Sequence, residues 1–141
     1  MEARLTSVVV YPFKGAAGIA VDAAEIRVTG LATGGVADRE WMAVDRDGRF
    51  VSQRELPRLA LVRPAIEDGR LVLSTQGLAP LALAAESPAP AREITVWNSQ
   101  VLGFDAAAEL GDIAQLSVLL GRDAERWPGS LRSGPLLAAI D

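Results

Sequence analysis

Basic side chains stand on both sides of a short apolar hairpin pattern near the middle of the chain. Arg39 precedes an apolar run that begins at Trp41, and Arg54 closes the segment that returns after the Asp-Gly pair at 47–48. Two guanidinium groups at the ends of one hairpin have the chemistry to bind an anion, because each offers several N–H donors in a fixed plane. The alternative is that both arginines pair with nearby carboxylates on the rim of a sheet.

Two residue types on which many enzymes rely are missing from the chain. Its 141 residues include neither histidine nor cysteine. The commonest general base, the commonest metal ligand, disulfides and thiol nucleophiles are therefore excluded for this chain alone. Asp45 and Asp47 form a carboxylate pair that a hydrolase or lyase could use, but a turn explains their position better. The composition thus argues against a free-standing catalyst.

Size, charge and hydropathy limit the partners of the chain. At 14.9 kDa the chain suits one unit with its own hydrophobic core. Eighteen acidic against 14 basic residues give a net charge of −4, which argues against a nucleic-acid partner. No apolar stretch is long enough to span a bilayer, and the first residues lack the layout of a secretory signal. We expect a cytoplasmic protein with no nucleic-acid or membrane partner.

Short apolar runs separated by turn residues predict a mainly β fold. The Asp-Gly turn at 47–48 joins the runs 41–44 and 50–52 into a hairpin. Further strands are predicted at 4–11, 21–29, 59–66, 70–74, 76–83, 93–97 and 101–102, with a flexible glycine-rich loop at 30–36. Between 106 and 120 the apolar spacing changes to that of a helix. The expected fold is a small closed or partly open β-barrel with one C-terminal α-helix.

Two further interpretations concern large apolar side chains. Ile26 and Val28 alternate with polar residues, so we expect them on one face of a half-buried strand. Trp41 and Trp97 are most simply interpreted as core aromatics rather than as stacking surfaces.

Three segments together resemble a known family. They are Tyr11-Pro12-Phe13-Lys14, the run from Asp38-Arg39-x-Trp41-Met42 to Gln53-Arg54, and Pro57-x-Leu59-Ala60-Leu61. This pattern is similar to the N-terminal β-barrel domain that precedes MOSC domains. The resemblance implies a domain of this type at 1–121, followed at 122–141 by a flexible tail or by the start of a MOSC domain.

The resemblance also implies a molybdenum-cofactor context. The family includes the mitochondrial amidoxime-reducing components and bacterial reductases of N-hydroxylated compounds, in which the barrel helps to hold the phosphate of the pterin cofactor. Carried over by motif position, the cofactor-binding residues are Lys14 and Arg39, with Gln53 and Arg54 as secondary candidates. An ammonium and a planar guanidinium together suit the oxygens of a phosphate.

Each of these assignments has a structural alternative. Lys14 could be a solvated lysine on a loop, and Arg39 could pair with a carboxylate at position 38, 40 or 45. For Gln53 and Arg54 the alternative is structural pairing without ligand contact. The family commonly has a serine after the lysine, where this chain has Gly15, so one hydrogen bond to the phosphate would be absent.

Two hypotheses of function follow from the resemblance. Without cysteine, the chain has no molybdenum ligand of the family's kind, so a MOSC domain in the same chain or in a separate one would hold the metal. The first hypothesis is a cofactor-cradling domain of a molybdenum-dependent oxidoreductase that is not catalytic by itself. The alternative is a stand-alone protein-interaction module without redox activity. A barrel lacking its MOSC domain would expose an apolar face, which favours weak self-association.

Overall fold

The chain folds mainly as β structure, as predicted. The computed structural model describes residues 1–45, 47–83, 91–106 and 136–140. Within these ranges a 3₁₀ helix covers Pro57–Leu61. The strands, in chain order, are β1 (Val8–Val10), β2 (Ile19–Val21), β3 (Glu25–Arg27), β4 (Gly30–Thr33), β5 (Val36–Ala37), β6 (Trp41–Val44), β7 (Arg63–Glu67), β8 (Arg70–Ser74), β9 (Leu81–Ala82), β10 (Arg92–Val96), β11 (Ser99–Asp105) and β12 (Leu136–Ile140).

The described strands pair into four separate sheets rather than one closed barrel. Antiparallel ladders join β1 with β2, β3 with β4 and β5, and β7 with β8 and β9, and the largest sheet has the order β10–β11–β12–β6. The closed form of the predicted barrel is therefore wrong for the described residues. The three small sheets join strands that are consecutive in the chain, and among the described strands their outer edges form no further ladder. The predicted helix at 106–120 lies outside the described residues, apart from Ala106.

Strand β6 lies at the centre of the hydrophobic interior. Trp41 and Ala43 belong to the larger core cluster, whereas Met42 and Val44 belong to a smaller cluster with Ile94. All four residues of the strand are buried, so it is covered on both faces. The prediction that Trp41 is a core aromatic is confirmed, since its exposed fraction is 5%.

The hairpin turn after β6 is confirmed, and its returning arm lies between β6 and β10, since Val51 donates its N–H to the carbonyl of Ala43 on β6. The N–H of Gly48 bonds the carbonyl of Asp45 at 3.0 Å, and the carboxylate of Asp45 accepts the N–H of Arg49 at 2.9 Å. Phe50 then forms a bridge with Val44 and donates its N–H to the carbonyl of Thr95 on β10. The interpretation of Asp45 as a turn residue is therefore confirmed, and its carboxylate stabilises the turn by accepting the N–H of Arg49.

The strand predicted at 59–66 is wrong in its first half. Residues Pro57–Leu61 form the 3₁₀ helix, and β7 begins only at Arg63. The N–H of Leu59 bonds the carbonyl of Leu56 at 3.0 Å, three residues earlier. Pro57 favours this helix, because proline suits the first helical turn, where its missing N–H costs nothing.

The segment around the glycine-rich stretch also differs from the prediction. Residues 30–36 form a hairpin of β4 and β5 instead of a flexible loop, with Gly34 at φ +56° and Gly35 at φ +81° in the turn. Positive φ at both turn residues matches the right-handed twist of the strands, which explains the two glycines. The strand predicted at 21–29 is confirmed for Glu25–Arg27, but its predicted burial is wrong, because Ile26 and Val28 are 85% and 107% exposed.

The end of the chain contributes a strand that the sequence analysis missed. Residues 136–140, expected within a flexible tail, form β12 and pair with both β11 and β6. The interpretation of 122–141 as a flexible tail or as the start of a MOSC domain stays a prediction. The domain boundary between 121 and 122 stays a prediction.

Replacing Leu59 with alanine is expected to lower the free energy of unfolding by about 2–5 kcal/mol, because its side chain is fully buried in the core. Leu61→Ala should change it by only about 0.5 kcal/mol, because Leu61 is 64% exposed. Residues 59 and 61 would share one face of a strand, so the pair also tests the helix. Urea unfolding followed by circular dichroism measures both, and equal losses would contradict the helical assignment.

Candidate functional site

Two motif segments predicted to bind an anion lie side by side in the fold. The N–H of Lys14 donates to the carbonyl of Trp41 at 2.8 Å, and the N–H of Trp41 donates to the carbonyl of Pro12 at 3.0 Å. The N–H of Arg39 donates to the carbonyl of Tyr11 at 2.6 Å. These backbone bonds fix the Lys14 segment against the Arg39 segment before any side-chain contact is considered.

The ammonium of Lys14 rests on an aromatic ring. Its Nζ lies 4.7 Å from the centroid of Phe50, a cation–π distance. In the described part of the chain, ion pairs join Arg27 with Glu25 and Arg39 with Asp38, and Lys14 takes part in neither. Lys14 is half-buried, so its side chain is held against the protein surface and is less free than a solvated lysine.

The guanidinium of Arg39 forms the structural ion pair that the sequence analysis left open. Its Nη1 donates to Oδ2 of Asp38, and Oδ1 of the same carboxylate accepts the N–H of Tyr11 at 2.7 Å. The guanidinium also lies 5.8 Å from the centroid of the Tyr11 ring. Its side chain remains 58% exposed. Asp38 thus orients Arg39, and the guanidinium keeps further N–H donors for another partner.

Gln53 makes a structural contact beside Lys14. Its side-chain amide donates to the carbonyl of Gly15 and so ties the loop after Lys14 to the segment that follows the hairpin. Gly15 has φ +88°, and a Cβ built on it would lie 2.7 Å from Cδ2 of Leu59. Both the backbone conformation and the space at this position therefore favour glycine.

Arg54 lies against Trp97, whose position contradicts the prediction. Trp97 is 60% exposed at the turn between β10 and β11, so the core interpretation is wrong for this residue. Phe50 meets its ring edge-on at 5.6 Å between centroids, and the Arg54 guanidinium lies 5.7 Å from the centroid. The sequence contained one clue, because a two-residue turn between paired strands projects its side chains away from the sheet.

The structure thus divides the four predicted site residues into two groups. Lys14 and Arg54 lie on the aromatic pair formed by Phe50 and Trp97, and we call these four residues the aromatic–cation surface. Gln53 joins this group through its contact with the loop after Lys14. Arg39 is linked to the Lys14 segment through backbone, while its side chain pairs with Asp38.

Two cavities open elsewhere on the described surface. One, of about 250 Å³, borders β3 and β4, and its wall carries Glu25 and Arg27. The hydrogen bond and the charge of Arg27 hold the pKa of the Glu25 carboxyl below its usual value. The other, of about 510 Å³, lies between β2 and β7, with Arg63 as its charged residue. None of the four predicted site residues lines either of these two cavities.

Metal-binding clusters and membrane-spanning helices are both absent from the described ranges. There, no group of three or more acidic side chains is placed to hold a metal ion. The same ranges contain no helix with the length and apolar character needed to cross a membrane.

Comparison with known proteins agrees with the sequence resemblance. The profile of the MOSC N-terminal beta barrel domain matches residues 2–123. Mitochondrial amidoxime reducing component 2 of Bos taurus is 34% identical over 102 residues, which cover 71% of this chain and 30% of that protein. Mitochondrial amidoxime-reducing component 1 of Mus musculus is 31% identical over 123 residues, covering 86% and 32%. Molybdenum cofactor sulfurase of Drosophila persimilis is 34% identical over 106 residues, covering 60% and 13%.

A solved structure shares the fold. The solution structure of a Bordetella bronchiseptica protein superposes with a TM-score of 0.52 at 18% identity, covering 72% of this chain and 71% of that one. The chain spans only 30% and 32% of the lengths of the two amidoxime-reducing relatives. Because the family profile matches most of its residues, this chain belongs to the family of MOSC N-terminal β-barrel domains.

Proposed function

We propose that this domain binds the phosphate of the pterin cofactor of molybdenum through Lys14 and Arg39. A MOSC domain, in the same chain or in a separate one, completes the site and ligates the metal. The domain is not catalytic by itself, and the assembled protein is an oxidoreductase of N-hydroxylated compounds. The names of the relatives, amidoxime reducing components and a molybdenum cofactor sulfurase, support the cofactor context.

One observation carries this proposal. The backbone bonds between the Lys14 and Arg39 segments place the two proposed phosphate ligands on adjoining stretches of chain, although the residues are far apart in sequence. Such a pairing lets one phosphate meet donors from both segments.

The side chains present fit a phosphate. The Lys14 ammonium has no carboxylate partner among the described residues, so it is available to an anion. Arg39 is exposed, and Asp38 fixes one edge of its guanidinium while the remaining N–H groups can bind oxygen. When bound, the cofactor would supply the redox chemistry of molybdenum. This chain would anchor its phosphate and orient it.

Gln53 and Arg54 lie beside the proposed phosphate site, and in this proposal neither contacts the phosphate. Gln53 holds the carbonyl of Gly15 and so limits the movement of the Lys14 loop. Arg54 lies further along the surface, against Trp97.

We also propose that the chain divides into a domain at 1–121 and a second part at 122–141. The Lys14 and Arg39 segments both belong to the first of these parts. The proposed compartment is the cytoplasm, whereas the amidoxime-reducing relatives carry mitochondrial names.

A second candidate function is a protein-interaction module without redox activity. The observation that favours it is strand β3, which among the described strands pairs only with β4 and carries the exposed Ile26, followed by the exposed Val28. An edge strand with aliphatic side chains can add a strand from a partner or from another copy of the chain. Saturable binding of the pterin cofactor to this chain would count against this function.

The double variant Lys14→Ala with Arg39→Ala is expected to bind the metal-free pterin cofactor at least roughly 10-fold more weakly than the parent. Its basis is that charge-assisted hydrogen bonds contribute about 1.5–3 kcal/mol each. Isothermal titration calorimetry measures the affinity. Arg70→Ala, which removes one positive charge from an exposed position on β8, is the matched control and should bind as the parent does. Equal affinity of the double variant and the parent would contradict the assignment.

Gly15→Ser restores the hydroxyl common in the family but should not strengthen binding. We expect it to destabilise the fold, because serine would be strained at φ +88° and its Cβ would clash with Leu59. Gly35→Ser is the matched control, since Gly35 has φ +81° and no atom within 4 Å of a built Cβ.

The difference between these two variants isolates the clash. Gly15→Ser should cost about 1–3 kcal/mol more than Gly35→Ser, a range typical of overpacking. Thermal and urea unfolding measure the two losses. Equal losses would show that Leu59 moves aside freely and that Gly15 is needed only for its backbone conformation.

A further inference from the structure

Trp97 adopts a backbone conformation that bulky residues rarely take. Its φ is +55°, and among the described non-glycine residues only Arg39, Asp68 and Trp97 have positive φ. Asp68 precedes Gly69 in the turn between β7 and β8, where aspartate is a favoured residue. Arg39 belongs to the proposed phosphate site. Trp97 therefore needs an explanation of its own.

The fold gains little from a tryptophan at this turn. The indole is 60% exposed, and its aromatic contact is the edge-on meeting with Phe50. Glycine or asparagine would form a two-residue turn with less strain. Strained backbone concentrates at ligand contacts, where a side chain must be held in one direction. The exposed part of the indole offers a surface on which a planar ring can stack.

The surroundings of the indole are cationic. Arg54 lies on Trp97, and Lys14 lies on Phe50, so one phenyl ring separates the Lys14 ammonium from the indole. Neither cation forms an ion pair with a carboxylate in the described part of the chain. Two unpaired cations next to an exposed ring favour an anion that carries a flat ring over a purely apolar partner.

We propose that Trp97 stacks on the planar bicyclic ring of a phosphate monoester whose phosphate is held at Lys14. Purine and pterin monoesters share this chemistry, with a flat heteroaromatic ring joined to the phosphate by a short linker. Arg54 borders the stacked ring and favours its carbonyl oxygens. The inference rests on the proposed phosphate site at Lys14 and adds a contact with the ring.

Calorimetry with guanosine monophosphate and ribose 5-phosphate tests the stacking contact on the full chain. The parent should bind guanosine monophosphate about 5- to 150-fold more tightly, because this is the range that stacking a base on an aromatic side chain contributes. Trp97→Ala should remove this preference and leave the affinity for ribose 5-phosphate unchanged. A titration with a pterin monophosphate in place of the nucleotide shows which ring binds more tightly because of Trp97. Tighter binding of either compound than of ribose 5-phosphate supports the stacking site.

The control variants separate stacking from folding and from phosphate binding. Trp97→Gly relieves the backbone strain, so a loss of preference there cannot result from misfolding. Leu102→Ala truncates another exposed apolar residue on β11 and should bind both compounds as the parent does. If Trp97→Ala keeps the preference, or the parent has none, the stacking site is wrong. If Lys14→Ala leaves the affinity for ribose 5-phosphate unchanged, the proposed phosphate site is wrong. The preference for guanosine monophosphate over ribose 5-phosphate then still tests the Trp97 contact separately.

Discussion

The structure depends on one short strand, β6, that is buried on both faces. Trp41 and Ala43 pack into the larger core, and Met42 and Val44 pack into the smaller one around Ile94. A shift of one residue would exchange these two sets of side chains, so packing on both sides fixes the register of the strand. Segments hydrogen-bonded to β6 are placed by the same constraint, which reaches β12 on one edge and Phe13 on the other.

The candidate site derives its geometry from this strand. Trp41 bonds the Lys14 segment through its own N–H and carbonyl, and Arg39 lies just before it. Because the core holds the backbone of both segments, the basic side chains can stay at the surface without loss of position. The buried indole N–H of Trp41 has no hydrogen-bond partner among the described residues, which shows that packing outweighs polar satisfaction at this point.

Local chemistry explains which elements could be predicted from the sequence. The turns at Gly48 and Gly69 follow from aspartate and glycine, whose conformational preferences need no distant contact. The apolar run at 59–66 was ambiguous, because its pattern suits a helix or a strand and Pro57 decides between them. Strand β12 lies beyond local prediction, since it pairs with β6 across most of the chain. A closed barrel could not be judged from strand count, because closure depends on edge pairing.

The sequence predicts the residue types of the candidate site, and their role as cofactor ligands stays a prediction. Motif position identified Lys14 and Arg39, but no pattern showed that Asp38 would take one edge of the guanidinium. Hydrophobicity predicts burial of Trp97, whereas its position in the turn between β10 and β11 exposes it. Natural sequences mostly agree with local backbone preferences, and the disagreements concentrate at functional positions. Arg39 and Trp97 both occupy positive φ without the conformational freedom of glycine, so the core must offset their strain, and both are residues for which we propose ligand contacts.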